Sequence, residues 1–183
     1  RSRSRGVMLS LQVVSGTCWI CLGNCDGNDR YHAQCLEGLF GARTAPTIDL
    51  EMGKLHTAAL AMIGRVSISG VQRKLSVSLS ADRMRLQVAV DGGRYILKPP
   101  ADTFPFLPEN EHLTMRIAEA AGVEVPSCGL IEMRDGFKAY IVRRFDRPDG
   151  GGKLRQEDFC QLAELSPKDK YRGSAELVVR LLK

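Results

Sequence analysis

Three short stretches of alternating side chains place the tightest constraint on the fold. Lys74–Ser80 carries Leu75, Val77 and Leu79 on one face, and Arg83–Val90 repeats the pattern with Leu86, Val88 and Val90. Arg94–Lys98 (RYILK) follows the turn residues Asp91-Gly92-Gly93 and is stopped by Pro99-Pro100, which cannot donate to a strand ladder. A period of two buries one face of a strand and solvates the other. Joined by tight turns, these strands are expected to form an antiparallel meander.

The rest of the chain adds helices to that sheet. In ENEHLTMRIAEAAGVEVP, Leu113, Ile117, Ala120 and Ala121 fall on one helical face and Gly122 ends the helix. GLIEMRDGFKAYIVRRFD reads as a hairpin turning at Asp135-Gly136. QEDFCQLAEL is a helix, and SAELVVRLLK begins another with Ser174 as N-cap. Upstream, a short helix is expected near Cys35–Phe40 and a second in KLHTAALAMIGR, ending at Gly64. The fold class is α+β, an antiparallel sheet with helices. We divide the chain into an N-terminal extension (1–17, expected to be disordered), a Cys/His-rich leader (18–41), a lobe (42–145), and a connector with the first helices of a second lobe (146–183).

With 183 residues, 44% hydrophobic and 26% charged, the chain has the composition of a soluble globular protein. No apolar run approaches the roughly 20 residues that span a bilayer. The opening RSRSRGVMLSLQVVSG has a basic head and a short apolar stretch, but Ser10 and Gln12 break it and no small-residue cleavage site follows. The expected location is cytoplasmic. A net charge of +5 suits contact with nucleic acid or with a polyanionic nucleotide. The cations are scattered rather than striped, so charge alone selects neither.

Three segments could carry chemistry. Ser69-Gly70-Val71-Gln72-Arg73-Lys74 offers consecutive backbone N–H groups around a residue without Cβ, then two cations, and both features favour an anion. It lacks the P-loop pattern, and by itself an ordinary turn accounts for it. Lys98 ends an apolar strand, so its stem packs while its ammonium projects; a strand lysine of this kind can clamp phosphates and pair with a helix carboxylate, for which Glu109 and Glu111 stand near the start of the next helix. A snorkelling lysine beside an acidic first turn accounts for the same residues. IVRRFDR, residues 141–147, is an apolar strand running into Arg143-Arg144-Phe145, either a connector whose backbone meets a base edge or a solvated strand end.

SISGVQRKLSV, ILKPP, ENEHLTMRIAEAAGVEVP, IVRRFDR and LRQEDFCQL, in this order, resemble the HipA-type serine/threonine kinases of bacterial toxin–antitoxin systems, and most closely the short HipT-like branch. The resemblance covers roughly residues 60–183 and implies a kinase-like N-lobe followed by the start of a helical lobe. It implies ATP and Mg²⁺ as cofactors, with Ser69, Gly70, Val71, Gln72, Arg73 and Lys74 as the glycine-rich ATP loop and Lys98 as the phosphate-binding lysine. Glu111 matches as its partner, Arg143, Arg144 and Phe145 as the adenine-contacting hinge, and Ser67 and Ser69 as autophosphorylation sites. The implied partners are a protein substrate, of which aminoacyl-tRNA synthetases are known examples, a small DNA-binding antitoxin, and a separate protein equivalent to the N-terminal subdomain. No membrane partner is implied. The family's catalytic and Mg²⁺-holding aspartates lie past the position of Lys183, so no catalytic residue is assigned in this chain, which is expected to be inactive alone. GNDRYH at 27–32 resembles the family's catalytic loop but precedes the glycine loop instead of following the hinge.

Four of the six cysteines crowd into 18 positions. Cys18-x2-Cys21 followed by His32-x2-Cys35 supplies four ligands of the type and softness that suit tetrahedral Zn²⁺, with Cys25 as a substitute. A reduced loop whose Trp19, Tyr31, Leu36 and Phe40 pack on the main lobe is the simpler reading of the same segment. Two further functions compete with the kinase reading: a zinc-stabilised module binding nucleic acid or protein, which predicts metal-dependent folding and steep salt sensitivity, and a truncated, inactive kinase acting as a scaffold.

Overall fold

A computed structural model describes residues 16–27, 29–53, 74–101, 104, 106–149, 151–170 and 172–183. The described elements run α1 (Ala33–Phe40), β1 (Thr47–Ile48), β2 (Leu75–Leu79), β3 (Arg85–Val88), β4 (Tyr95–Lys98), α2 (Leu107–Ala120), β5 (Cys128–Glu132), β6 (Lys138–Arg143), α3 (Phe159–Leu162), a 3₁₀ turn at Pro167–Asp169, and α4 (Ala175–Leu181). The α+β class is as expected. The expected helix in KLHTAALAMIGR lies outside the described residues.

The six strands form one sheet in the order β1-β3-β2-β4-β6-β5. Every pair is antiparallel except β1 with β3, which is parallel through Thr47↔Arg85 and Ile48↔Leu86. The meander expectation is corrected. β2 is the middle strand of the three, with β3 on one side and β4 on the other, so the chain crosses β2 between β3 and β4. Gly93 makes the crossing possible: a Cβ there would stand 1.9 Å from Ser76 Oγ and 3.1 Å from the Val77 nitrogen. The β5–β6 hairpin turns at Asp135-Gly136 as the sequence indicates, with Gly136 at φ +83°.

Period-two alternation divides the side chains between two faces. On one face Leu75, Val77, Leu86, Tyr95, Leu97, Ile131, Ala139 and Ile141 are buried against Leu36, Leu39 and Phe40 of α1 and against Cys18, Ile20 and Cys25. The Cys-rich segment therefore shares the core of the sheet, and Tyr95 Oη donates to the Leu39 carbonyl at 3.0 Å inside it. The opposite face presents Cys128, Leu130 and Tyr140, packed with Met115 of α2, Val142 and Trp19.

α2 begins with Leu107-Pro108, where proline's missing N–H costs nothing, and Gly122 follows its end at φ +84°. Its buried face differs from the expected one. Leu113 and Ile117 are 48% and 60% exposed, whereas Pro108 and His112 are buried. The helix is rotated so that Glu111, His112 and Met115 meet the sheet. His112 is 1% exposed. α3 is shorter than expected and is capped by an Asp158/Gln161 box, while Ser174 caps α4 by accepting from the Leu177 N–H at 3.3 Å.

Candidate functional site

Lys98 is the last residue of β4. The alternation that buries Tyr95 and Leu97 sends Ile96 and Lys98 to the other face, and cross-strand register sets Lys98 opposite Tyr140 and Ile96 opposite Val142. Lys98 Nζ donates to Glu111 Oε1 in an ion pair whose side chains are 23% and 19% exposed. Lys98 Nζ also stands 5.4 Å from the centroid of the Tyr140 ring, whose face adds a cation–π contact. Strand, helix and ring thus hold one ammonium in one place.

A cleft of about 710 Å³ opens over this pair. It is lined by Lys74, Lys98 and Glu111, by Arg143-Arg144-Phe145 where the chain leaves β6, and by Leu154–Asp158 with Lys170. Burial, then the neighbouring Lys98 and Lys170 cations, hold Lys74 below the ordinary lysine range. Seven cations against four carboxylates line the cleft, a positive balance that favours an anion.

The segment after β6 is fixed by a fork. Arg144 Nε and Nη2 donate to the two carboxylate oxygens of Asp146 at 2.8 and 2.6 Å, with side-chain exposures of 12% and 7%. That bond raises Arg144 and holds the Asp146 carboxyl below its usual range, against burial. Arg143 Nη2 donates to Asp149 at 2.7 and 2.9 Å, and Phe145 is 64% exposed at the cleft mouth. Lys170 Nζ donates to Asp158 at 2.7 Å, both residues lining the cleft.

Behind Glu111 lies a buried polar group. His112 Nδ1 is 4.0 Å from Cys128 Sγ, Arg116 Nη2 is 3.7 Å from the same sulfur, and the Tyr140 ring centroid is 6.5 Å from that of His112. Burial first, and the Arg116 charge second, push the His112 imidazole down to about 4. It is neutral near pH 7.

The structure brings Lys74, Lys98, Glu111, Arg143, Arg144 and Phe145 to this cleft. Ser67, Ser69, Gly70, Val71, Gln72 and Arg73 lie outside the described residues. Glu109 turns elsewhere, pairing with Lys138 at 3.6 Å. Sequence reasoning missed Tyr140, Asp146, Asp158 and Lys170. The register of two strands was needed to find Tyr140, but Asp146 could have been found in RRFD, where an arginine fork and a carboxylate stand two residues apart.

A second cluster lies in the leader. One ligand atom each from Cys18, Cys21, His32 and Cys35 fall within 4.8 Å of one another, and all six cysteines are free thiols. Cys25, the substitute ligand, is buried but is not in this group. Burial raises the Cys18 thiol, but hydrogen bonds from the backbone of Cys21, His32 and Ile20 outweigh it and bring it down to about 7. Burial and the sulfurs of Cys21 and Cys18 push Cys35 up to about 12. Trp19 and Tyr31 pack on the lobe, in an edge-to-face pair 5.8 Å apart, as the reading of a packed loop has it.

The class defined by this fold and cleft is an α+β lobe that gathers cations, one of them locked by a helix glutamate, at one side of a sheet. The chain belongs to the HipA-like C-terminal domain family, which matches residues 66–183. It is 37% identical over 113 residues to a Sinorhizobium fredii protein named "Putative kinase Y4mE", covering 58% of this chain and 26% of that protein. It is 30% identical over 112 residues to the serine/threonine-protein kinase toxin HipA of Shewanella oneidensis, covering 58% of this chain and 25% of that protein. Among solved structures, the S. oneidensis complex of HipA, HipB and operator DNA aligns with a TM-score of 0.41 at 24% identity, over 62% of this chain and 28% of that one. The chain thus spans about a quarter of the length of these curated relatives. Among the described residues, no helix is long and apolar enough to cross a membrane.

Proposed function

We propose that this chain is the ATP-binding portion of a HipA-type serine/threonine protein kinase. The observation that carries the reading is the Lys98–Glu111 pair at the wall of a cation-lined cleft. A lysine held by a helix glutamate presents its remaining N–H donors to α/β phosphates without having to be ordered when the nucleotide arrives. Lys74 and the backbone of Ser69–Arg73 would cover the phosphates, and the Arg143-Arg144-Phe145 segment, held by Asp146 and Asp149, would receive the base.

Mg²⁺ neutralises phosphate charge in such kinases. Of the four carboxylates that line the cleft, Glu111, Asp146 and Asp158 are each engaged by a cation, and Glu157 is the fourth. By the resemblance, the metal-holding and proton-accepting aspartates belong to the family's helical lobe, and transfer to a serine or threonine of a target protein to a whole kinase of this type. Phosphate on Ser67 or Ser69 would add a charge of roughly −1.5 to −2 and repel ATP's own phosphates, closing the site by self-modification. The proposed partners are a target protein such as an aminoacyl-tRNA synthetase, a small DNA-binding antitoxin and an N-subdomain-like protein, in a cytoplasmic setting.

Calorimetric titration of the chain with ATP and Mg²⁺ tests the reading, with Lys98→Ala alongside. Saturable binding that the substitution weakens tenfold or more supports it. Binding that is absent, or unchanged in the variant, overturns it.

A further inference from the structure

None of Cys18, Cys21, His32 and Cys35 lines the cleft, and nucleotide handling leaves them without a role. We propose that these four side chains bind one Zn²⁺ ion in a closed tetrahedral site, and that this ion fastens residues 16–41 to the β5 edge of the sheet.

Spacing and donor chemistry agree. Zn–S and Zn–N bonds of ~2.3 and ~2.0 Å imply tetrahedron edges of roughly 3.5–3.8 Å between ligand atoms. Cys21 Sγ and Cys35 Sγ stand 3.3 and 3.7 Å from His32 Nδ1, and the whole set lies within 4.8 Å, so small side-chain rotations complete the site. His32 is prepared for ligation. Its Nε2–H donates to the Asn24 carbonyl at 2.9 Å, which leaves the Nδ1 lone pair facing the thiols. His32 also holds the N-cap position of α1 yet makes no side-chain cap bond there, its ring being turned to the cysteines.

The backbone is folded around the same point. Thr17 bridges to Asn24, the Leu22 N–H returns to the Cys18 carbonyl at 2.9 Å, and the Gly23 N–H donates to Cys21 Sγ at 3.4 Å. Leu22 sits at φ +63°, a conformation that costs a non-glycine residue energy and needs a compensating constraint. Three thiolates and an imidazole fill all four positions, leaving none for water or substrate. Such a site is structural, and soft thiolates select Zn²⁺ over the hard cations.

The fastening is visible at the other end of the segment. The Leu130 N–H donates to the Trp19 carbonyl at 2.8 Å, Tyr31 Oη donates to the Leu130 carbonyl at 3.1 Å, and Arg30 pairs with Glu132. These contacts cover β5, the last strand of the sheet, whose open edge would otherwise invite pairing with another chain.

The test uses the full 183-residue chain, reduced and purified without chelator. Mass spectrometry for bound metal is expected to find one Zn²⁺ per chain, and Co²⁺ added after stripping is expected to give tetrahedral d–d bands with thiolate charge transfer. Cys21→Ser or Cys35→Ser should weaken Co²⁺ binding at least tenfold, and Cys25→Ser should leave it unchanged. Stripping should speed hydrogen exchange at the Leu130 amide. Wild-type protein with neither bound zinc nor a tetrahedral Co²⁺ spectrum overturns the site, a result independent of how any variant folds. A Cys21→Ser/Cys35→Ser double variant that binds as wild type does so too. Zinc binding with unchanged Leu130 exchange overturns the fastening.

Discussion

Lys98, at the end of β4, and Glu111, in the second turn of α2, are joined by an ion pair in which each side chain is less than a quarter exposed. A pair this sheltered holds its geometry better than a surface pair but has been partly removed from water. In a double-mutant cycle of Lys98→Met and Glu111→Gln, urea unfolding is expected to give a coupling energy of about 1–2 kcal/mol. A value near zero would make the pair a surface contact with no part in shaping the cleft.

Asp146 is 5% exposed and is held by the Arg144 fork. Arg144→Ala leaves that buried carboxylate with only Arg147, 4.0 Å away, and is expected to cost about 2–4 kcal/mol in denaturant unfolding. Arg144→Lys should recover only part of this, since an ammonium cannot donate along two parallel directions. Full recovery by lysine would show that charge alone holds the segment.

His112 makes stability depend on pH. Its folded pKa of about 4 lies below the ordinary 6.5, so between these values the unfolded chain takes up a proton that the folded chain refuses. Stability is therefore full above pH 6.5 and falls as pH drops toward 4, by about 3 kcal/mol from this residue. Arg116, Cys128 and Tyr140 face the ring, and none offers a carboxylate to offset the charge. Urea melts of wild type and His112→Gln across that window should converge as pH falls, and parallel curves would contradict the assignment.

Gly129 has no room for a side chain. A Cβ would lie 2.8 Å from Ile20 Cγ1 and 3.0 Å from the Trp19 carbonyl oxygen. Gly129→Val is expected to destabilise the fold by about 1–3 kcal/mol and to raise protease cleavage within 16–41 ahead of cleavage in the sheet. Uniform sensitivity along the chain would show that leader and sheet unfold as one unit.

Residue patterns showed β2 to β6, the β5–β6 turn, the Ser174 cap and the spacing of the four Cys/His side chains that converge, because each is written in local spacing. Strand order was not legible. Asp91-Gly92-Gly93 looks the same in sequence whether the chain turns back beside β3 or crosses β2, and the contact of Gly93 with Ser76 that decides it is long-range. The rotation of α2 was hidden for a related reason. Leu113 and Ile117 form the more apolar stripe, yet the sheet face that receives the helix has Tyr140 and Cys128 to partner His112 and Arg116. Order in the chain offered Lys98 either Glu109 or Glu111 and the family resemblance pointed to Glu111, whereas Lys170 enters the same cleft from far along the sequence.

The bond from the Leu130 N–H to the Trp19 carbonyl ties the first described segment of the chain to a strand more than a hundred residues later. On the ribosome, at ~5–20 residues per second, the leader would wait roughly 5–20 s before its docking strand is made. Through that interval the leader is without the strand it docks on. On the proposed zinc site, a cation captured early would hold the leader in its folded shape while β5 is being synthesised, and the order of manufacture would give the four side chains a task before the lobe exists to need them.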